Sequence, residues 1–164
     1  MTANRLVYVP AAALLLAGGG CHSLSRSTPA RPAPNKVAVV KEYWPNGKLR
    51  VQHEFLRQPD GTLVDNGGYA TWFDNGAKEY EATYVDGRLE GVATRWHRNG
   101  VKASEQYYAN GLRNGPRYMW DQNGLLRKEE HFVDDKPDGV WTTWDKDGRI
   151  EARQVWDKGA PKSQ

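Results

Sequence analysis

The chain has 164 residues, of which 38% are apolar and 26% charged, with a single cysteine: room for one domain behind a leader, and no material for a disulfide framework or a cysteine-rich metal site. No run of about 18 apolar residues follows the leader, which excludes a transmembrane helix there. The formal charge of +3 is misleading: residues 41–164 hold 19 Lys and Arg against 20 Asp and Glu, and Arg5, Arg26, Arg31 and Lys36 supply the rest, so the domain lacks the basic footprint of a nucleic-acid binder.

In chain order, Arg5, an apolar stretch at 6–17, Gly18-Gly19-Gly20 and Cys21 have the three-part layout of a secretory signal over residues 1–20. The lone Cys after small residues resembles a bacterial lipobox, and the resemblance implies that Cys21 becomes the lipidated first residue of a membrane-anchored protein. Gly18 departs from the pattern, which usually carries a branched apolar residue there. Ordinary cleavage between Gly20 and Cys21 is the alternative, and it would leave an unpartnered thiol in an oxidising envelope. His22 stands where an Asp would imply inner-membrane retention, so the expected location is the bacterial outer membrane, facing the periplasm. Residues 21–40 read as a flexible lipid-attached tether, stiffened by Pro29, Pro32 and Pro34.

From residue 41 onward the chain is periodic. Asn46-Gly47, Asn75-Gly76, Asn99-Gly100, Asn123-Gly124 and Asp147-Gly148 recur at spacings of 29, 24, 24 and 24 residues. Four residues before each turn glycine stand Tyr43, Trp72, Trp96, Trp120 and Trp144; eight residues after it stand Phe55, Tyr84, Tyr108, Phe132 and Trp156. Aromatic residues flanking a Gly turn, with no capped helical period, predict a β-hairpin in each unit. The fold class expected is therefore all-β, an elongated antiparallel meander of about five tandem hairpins of about 24 residues over 41–164. A two-residue turn would put the two aromatic columns on opposite faces. A three-residue loop such as Asp74-Asn75-Gly76 puts them on one face and leaves the other charged, which is the arrangement expected here. The glycine column Gly67, Gly91, Gly115 and Gly139 reads as left-handed exits from the return turns. Five extra residues in the first unit, around 57–64, predict a longer loop.

The pattern G-x-x-x-x-W-x-x-N-G-x-K-x-x-E-x-x-Y-x-x-G over residues 67–87 resembles the variant MORN repeat, and the likeness extends over 41–159. Bacterial families similar to it are often described as toxin-antitoxin antitoxins, and eukaryotic MORN proteins are associated with scaffolding and membrane lipids. The last unit, with Arg153 in the acidic column and Asp135 in place of the second turn glycine, looks like a degenerate cap.

Candidate chemistry is sparse. Asp145-Lys146-Asp147-Gly148 has the look of a calcium-loop fragment, but its register makes it the fifth hairpin turn. His53, His97 and His131 fall in three different columns. No catalytic residue, metal or cofactor is expected. The candidate binding residues are Tyr69, Phe73, Tyr107 and Trp141, aromatics that parity leaves on the charged face beside the line Glu81, Glu105 and Glu129. With Arg95 and Arg117 they have the composition of a contact patch; packing within a strongly twisted sheet and solvation of the acids are the alternatives. The function expected is a non-catalytic envelope lipoprotein whose sheet binds a protein or cell-wall partner and no nucleic acid. An immunity or antitoxin protein is the alternative.

Overall fold

The structure is a computed structural model that describes residues 7–9 and 36–163, so Cys21 and nearly all of the expected leader and tether lie outside the described residues. Thirteen strands form one sheet: β1 (Val7–Val9), β2 (Lys36–Tyr43), β3 (Leu49–Arg57), β4 (Leu63–Trp72), β5 (Lys78–Val85), β6 (Arg88–Trp96), β7 (Lys102–Ala109), β8 (Leu112–Trp120), β9 (Leu126–Val133), β10 (Lys136–Pro137), β11 (Gly139–Trp144), β12 (Ile150–Asp157) and β13 (Ala160–Pro161). Neighbours in sequence are neighbours in the sheet and every pairing is antiparallel, so the all-β hairpin meander stands. β2 already includes residues 36–40, assigned above to the tether; Val37, Val39 and Val40 are strand formers that continue the first hairpin. β10 and β11 both pair with β9 and are one interrupted strand, with Asp138 N–H still donating to His131 O at 2.9 Å between them. No helix among the described residues is long and apolar enough to cross a membrane.

Each long hairpin closes through a three-residue loop, as the sequence predicts. Phe73 N–H donates to Ala77 O at 2.9 Å while Gly76 N–H turns back to Phe73 O at 2.9 Å, and Gly76 has φ +92°. The same pair of bonds recurs at Trp44, His97, Asp121 and Asp145. The five extra residues of the first unit build one more such loop, from Gln58 N–H to Thr62 O at 2.8 Å. The return connections are tighter. Asp86 and Gly87 at φ 48° and 78°, and Asn110 and Gly111 at 51° and 85°, are two-residue turns with both centres left-handed. In the degenerate unit Asp134 and Asp135 take up that conformation at φ 47° and 66° without a glycine. Three hydrogen bonds from Arg113 to Asp135 hold the strained turn. The column Gly67, Gly91, Gly115 and Gly139 does not sit at turn exits. These glycines lie inside or at the start of β4, β6, β8 and β11, with φ from 76° to 113°, and the first three mark kinks within their strands.

Neighbouring units are stapled at both ends of their strands. Asn46 Nδ2 donates to Asp74 O at 2.8 Å, Asn75 Nδ2 to Arg98 O at 3.0 Å, and Asn99 Nδ2 to Gln122 O at 2.8 Å. The Oδ1 of each closes its own turn by accepting from Lys48, Ala77 or Val101 N–H. This double use explains Asn at the turn, since Asp could do only the second. At the opposite ends, Gly87, Gly111 and Gly159 N–H donate to Asp65, Leu89 and Pro137 O in the preceding unit, each at 2.8 Å. Asn99→Asp is therefore expected to cost about 1 kcal/mol, the worth of one hydrogen bond, by chemical denaturation. An unchanged midpoint would show that the staple carries no net stability.

The face assignment made from parity is corrected. A register shift follows the turn in every long hairpin, between Glu42 and Tyr43, Thr71 and Trp72, Arg95 and Trp96, Met119 and Trp120, and Thr143 and Trp144. One extra residue reverses every side chain beyond it. Trp72, Trp96, Trp120 and Trp144 therefore share a face with Glu81, Glu105 and Glu129, while Phe55, Tyr84, Tyr108, Phe132 and Trp156 line the other. On the Trp face Lys78 pairs with Glu81 at 2.8 Å and lies over the Trp96 ring at 5.5 Å; Lys102 pairs with Glu105 and lies over Trp120 at 5.4 Å.

Candidate binding face

The second face carries most of the burial. Among the described residues Ala38, Ala82, Ala93, Gln106, Glu130 and Phe132 are buried on it, against Thr142 alone on the Trp face. No other layer covers it among the described residues, so the sheet must curl towards it and bury these side chains in its own concavity. The column that lines the floor is His53, Ala82, Gln106, Glu130 and Gln154, six residues after each turn glycine. Four of these five are polar.

Along the concavity three zones follow one another. The N-terminal zone is aromatic: the His53 ring lies 4.1 Å from Phe55 and 4.7 Å edge-on to Tyr69, which stands 5.8 Å from Tyr80 and 6.2 Å from Tyr84. The centre is cationic, with a cavity of about 300 Å³ lined by Tyr80, Ala93, Arg95, Ser104, Gln106, Tyr108, Arg113 and Arg117. The C-terminal zone is aromatic again, with Trp141 between Phe132 at 5.3 Å and Trp156 at 5.0 Å.

Charge in the centre is only partly matched. Glu130, 3% exposed, takes Arg117 at 3.3 Å and Lys128 at 2.5 Å, and Asp135 takes Arg113 at 2.8 Å. Arg95 has no carboxylate partner among the described residues and lies 4.4 Å over the Tyr80 ring. Three buried side-chain polar atoms have no hydrogen-bond partner among the described residues: His53 Nε2, Gln106 Oε1 and Trp156 Nε1. All three belong to the concave face. His53 Nε2 is within ion-pair distance of Asp65 at 3.2 Å but lacks hydrogen-bond geometry, so the contact is an electrostatic one. Burial lowers the pKa of His53, and Asp65 opposes that shift. Gln106 commits Nε2 to Tyr107 O at 3.0 Å, as Gln154 does to Val155 O at 2.9 Å, which leaves Gln106 Oε1 as a free acceptor.

Burial, followed by the neighbouring phenols Tyr84 and Tyr108, pushes the Tyr80 phenol up to about 12, with Arg95 pulling the other way. A raised pKa stabilises the fold while the phenol is neutral. The contribution is complete below the ordinary value of 10.0 and disappears as the pH rises through about 12. An ultraviolet phenolate titration is expected to lose its most alkaline step in Tyr80→Phe; retention of that step would place the perturbed phenol elsewhere.

The predicted contact residues are dispersed. Tyr107 does stand on the Trp face, 36% exposed, with the acidic line Glu81, Glu105 and Glu129. Tyr69 and Trp141 do not, because the register shifts carry them into the two aromatic zones of the concavity. Phe73 opens a hairpin loop, where Arg98 lies 5.7 Å over its ring. Arg95 and Arg117, read as companions of the outer aromatics, line the inner cavity. The polar floor column was missed, although its signal was present: His53, Gln106, Glu130 and Gln154 occupy an even offset in which aliphatic residues were expected. No group of three or more His, Cys, Asp or Glu is placed to hold a metal among the described residues.

Residues 36–56 and 89–110 match the MORN repeat variant model. The first match covers most of the β2–β3 hairpin and the second nearly all of β6–β7, so the matched unit is the long hairpin itself. No curated protein matches the chain. Two MORN-variant matches within one open meander of tandem hairpins characterise a repeat module of the binding or scaffolding kind.

Proposed function

We propose that the chain is a non-catalytic bacterial envelope lipoprotein, anchored through Cys21, whose repeat sheet holds a protein or cell-wall partner in its concave face. The leader layout and the proline-containing segment at 21–35 support the anchor. The observation that carries the binding face is the gathering there of the three buried polar side-chain atoms that lack a hydrogen-bond partner among the described residues, since such groups cost free energy unless a partner meets them. Contact replaces chemistry in this reading: the cavity hydroxyl of Ser104 is on β7, whereas His53, the histidine of the concave floor, is on β3.

A photo-reactive amino acid at Ser104, inside the concavity, or at Thr94, on the Trp face, tests this in the full-length protein in native membranes. Adducts are expected from Ser104. Adducts confined to Thr94 would move the contact to the outer face. Cys21→Ser is expected to shift the protein from the membrane to the soluble fraction, and unchanged partitioning would exclude the anchor.

A further inference from the structure

The geometry points to an acidic peptide segment as the ligand of the concave face, lying across the strands with a carboxylate on Arg95 beside Gln106. This rests on the concave face being the binding face. Four observations converge. Arg95 is the cavity cation without a carboxylate partner among the described residues, and it lies 4.4 Å over the Tyr80 ring. Arg117 lines the same cavity and shares the Glu130 carboxylate with Lys128, so a second carboxylate can draw it away without leaving Glu130 unpaired.

Gln106, 7% exposed, contributes an acceptor with no donor, which selects a ligand that carries an N–H or O–H next to its acid. The backbone amide of a peptide supplies one beside every acidic side chain. Gln106 lines the same cavity as Arg95 and Arg117, and the proposed ligand meets its buried Oε1 as the cavity lining adjusts to the incoming carboxylate. Finally, the domain from residue 41 to 164 has a net charge of −1, so a cationic centre in its concavity is a local departure that complements an acid.

The aromatic zones separate a peptide from an acidic sugar. Sugars stack on open ring faces, but Tyr80 has Arg95 over its ring, Phe132 has Arg113 at 4.2 Å, and Trp141 has Lys128 at 5.3 Å as well as two neighbouring rings. Zones of engaged rings instead offer apolar walls for side chains. From β4 to β12 the concavity spans seven strand spacings, about 34 Å at ~4.8 Å each, the length of roughly ten extended residues. The fitting segment has acidic residues at its centre and apolar residues towards its ends.

The probe is a fluorescein-labelled peptide, Gly-Phe-Gly-Glu-Gly-Glu-Gly-Phe-Gly, titrated into the detergent-solubilised full-length protein and followed by polarisation, with oligogalacturonate as the acidic-sugar probe. Saturable binding is expected that weakens with salt, falls roughly tenfold or more in Arg95→Gln, and is unchanged in Tyr107→Ala on the outer face. Thermal melts of both variants report that they fold. Equal affinity for a peptide with glutamine in place of both glutamates overturns the proposal, as does undiminished binding to folded Arg95→Gln or the absence of binding. Oligogalacturonate that binds more tightly than the peptide reassigns the site to an acidic glycan. If Ser104 gives adducts while the peptide fails, the ligand class is wrong and the concave face stands; if adducts come from Thr94 alone, the face itself is wrong.

Discussion

Truncating Phe132 to Ala is expected to lower the unfolding free energy by about 3–5 kcal/mol, the range for large aromatic side chains removed from a core. Phe132 is 2% exposed, with the Arg113 guanidinium 4.2 Å over its ring and Trp141 at 5.3 Å on the adjacent strand. Nothing in a single-layer sheet can slide in to fill the space, because each unit touches only its neighbours. Trp96→Ala makes the comparison. That ring is half-buried on the outer face, with a lysine over it, and its loss is expected to cost about 1–2 kcal/mol despite the larger side chain. Urea denaturation with a common slope measures both. Losses of equal size would mean that the Trp face is as well packed as the concavity and that the direction of curl is reversed.

Gly115→Ala is expected to cost about 2–3 kcal/mol, near the upper end for a strained backbone position. Two effects add there: the residue has φ +113°, and a Cβ would stand 3.2 Å from Tyr107 Cβ, which belongs to the neighbouring strand and cannot rotate away. Gly91→Ala isolates the first effect. It has φ +79° with nothing within 4 Å of the added carbon, so only the left-handed penalty of about 1 kcal/mol applies. The two substitutions made in the same background and unfolded in urea should differ by the contact together with the more extreme φ of Gly115. If they match, Tyr107 yields at no cost, and the kink at this position tolerates a side chain.

Turn chemistry was legible because it is local. Asn-Gly at a fixed spacing, with the residue two before it, determines the loop length and the left-handed glycine without reference to anything distant. The faces were not legible. They depend on whether the second strand accommodates one extra residue just beyond the turn, and no residue type at Glu79, Ala103 or Arg127 announces that irregularity. Strict alternation assigns faces only along a regular ladder, and Tyr69 and Trp141 change face because the ladder is irregular in every unit. The central cavity falls between these cases. Its polar floor column was written in the chain as His53, Gln106, Glu130 and Gln154, but polar residues at a core position became visible as a pattern only after the concave face was known. The role of Asn as a bridge between units was hidden for a different reason: the acceptors Asp74 O, Arg98 O and Gln122 O are main-chain atoms and leave no trace in side-chain identity.

The staples have a consequence for how such a chain can change length. Each of them joins a position to a carbonyl at a fixed offset in the adjacent unit, and the acceptors are carbonyls that any residue provides. A duplicated unit of 24 residues would meet the same donors and acceptors on both flanks, and a deleted one would leave its neighbours matched. The concavity would grow or shrink by two strand widths, about 10 Å, at each event. The length of the face is thus adjustable in whole steps by copying, without redesign of any interface, whereas an odd number of residues inserted within a strand would exchange its inner and outer faces beyond that point.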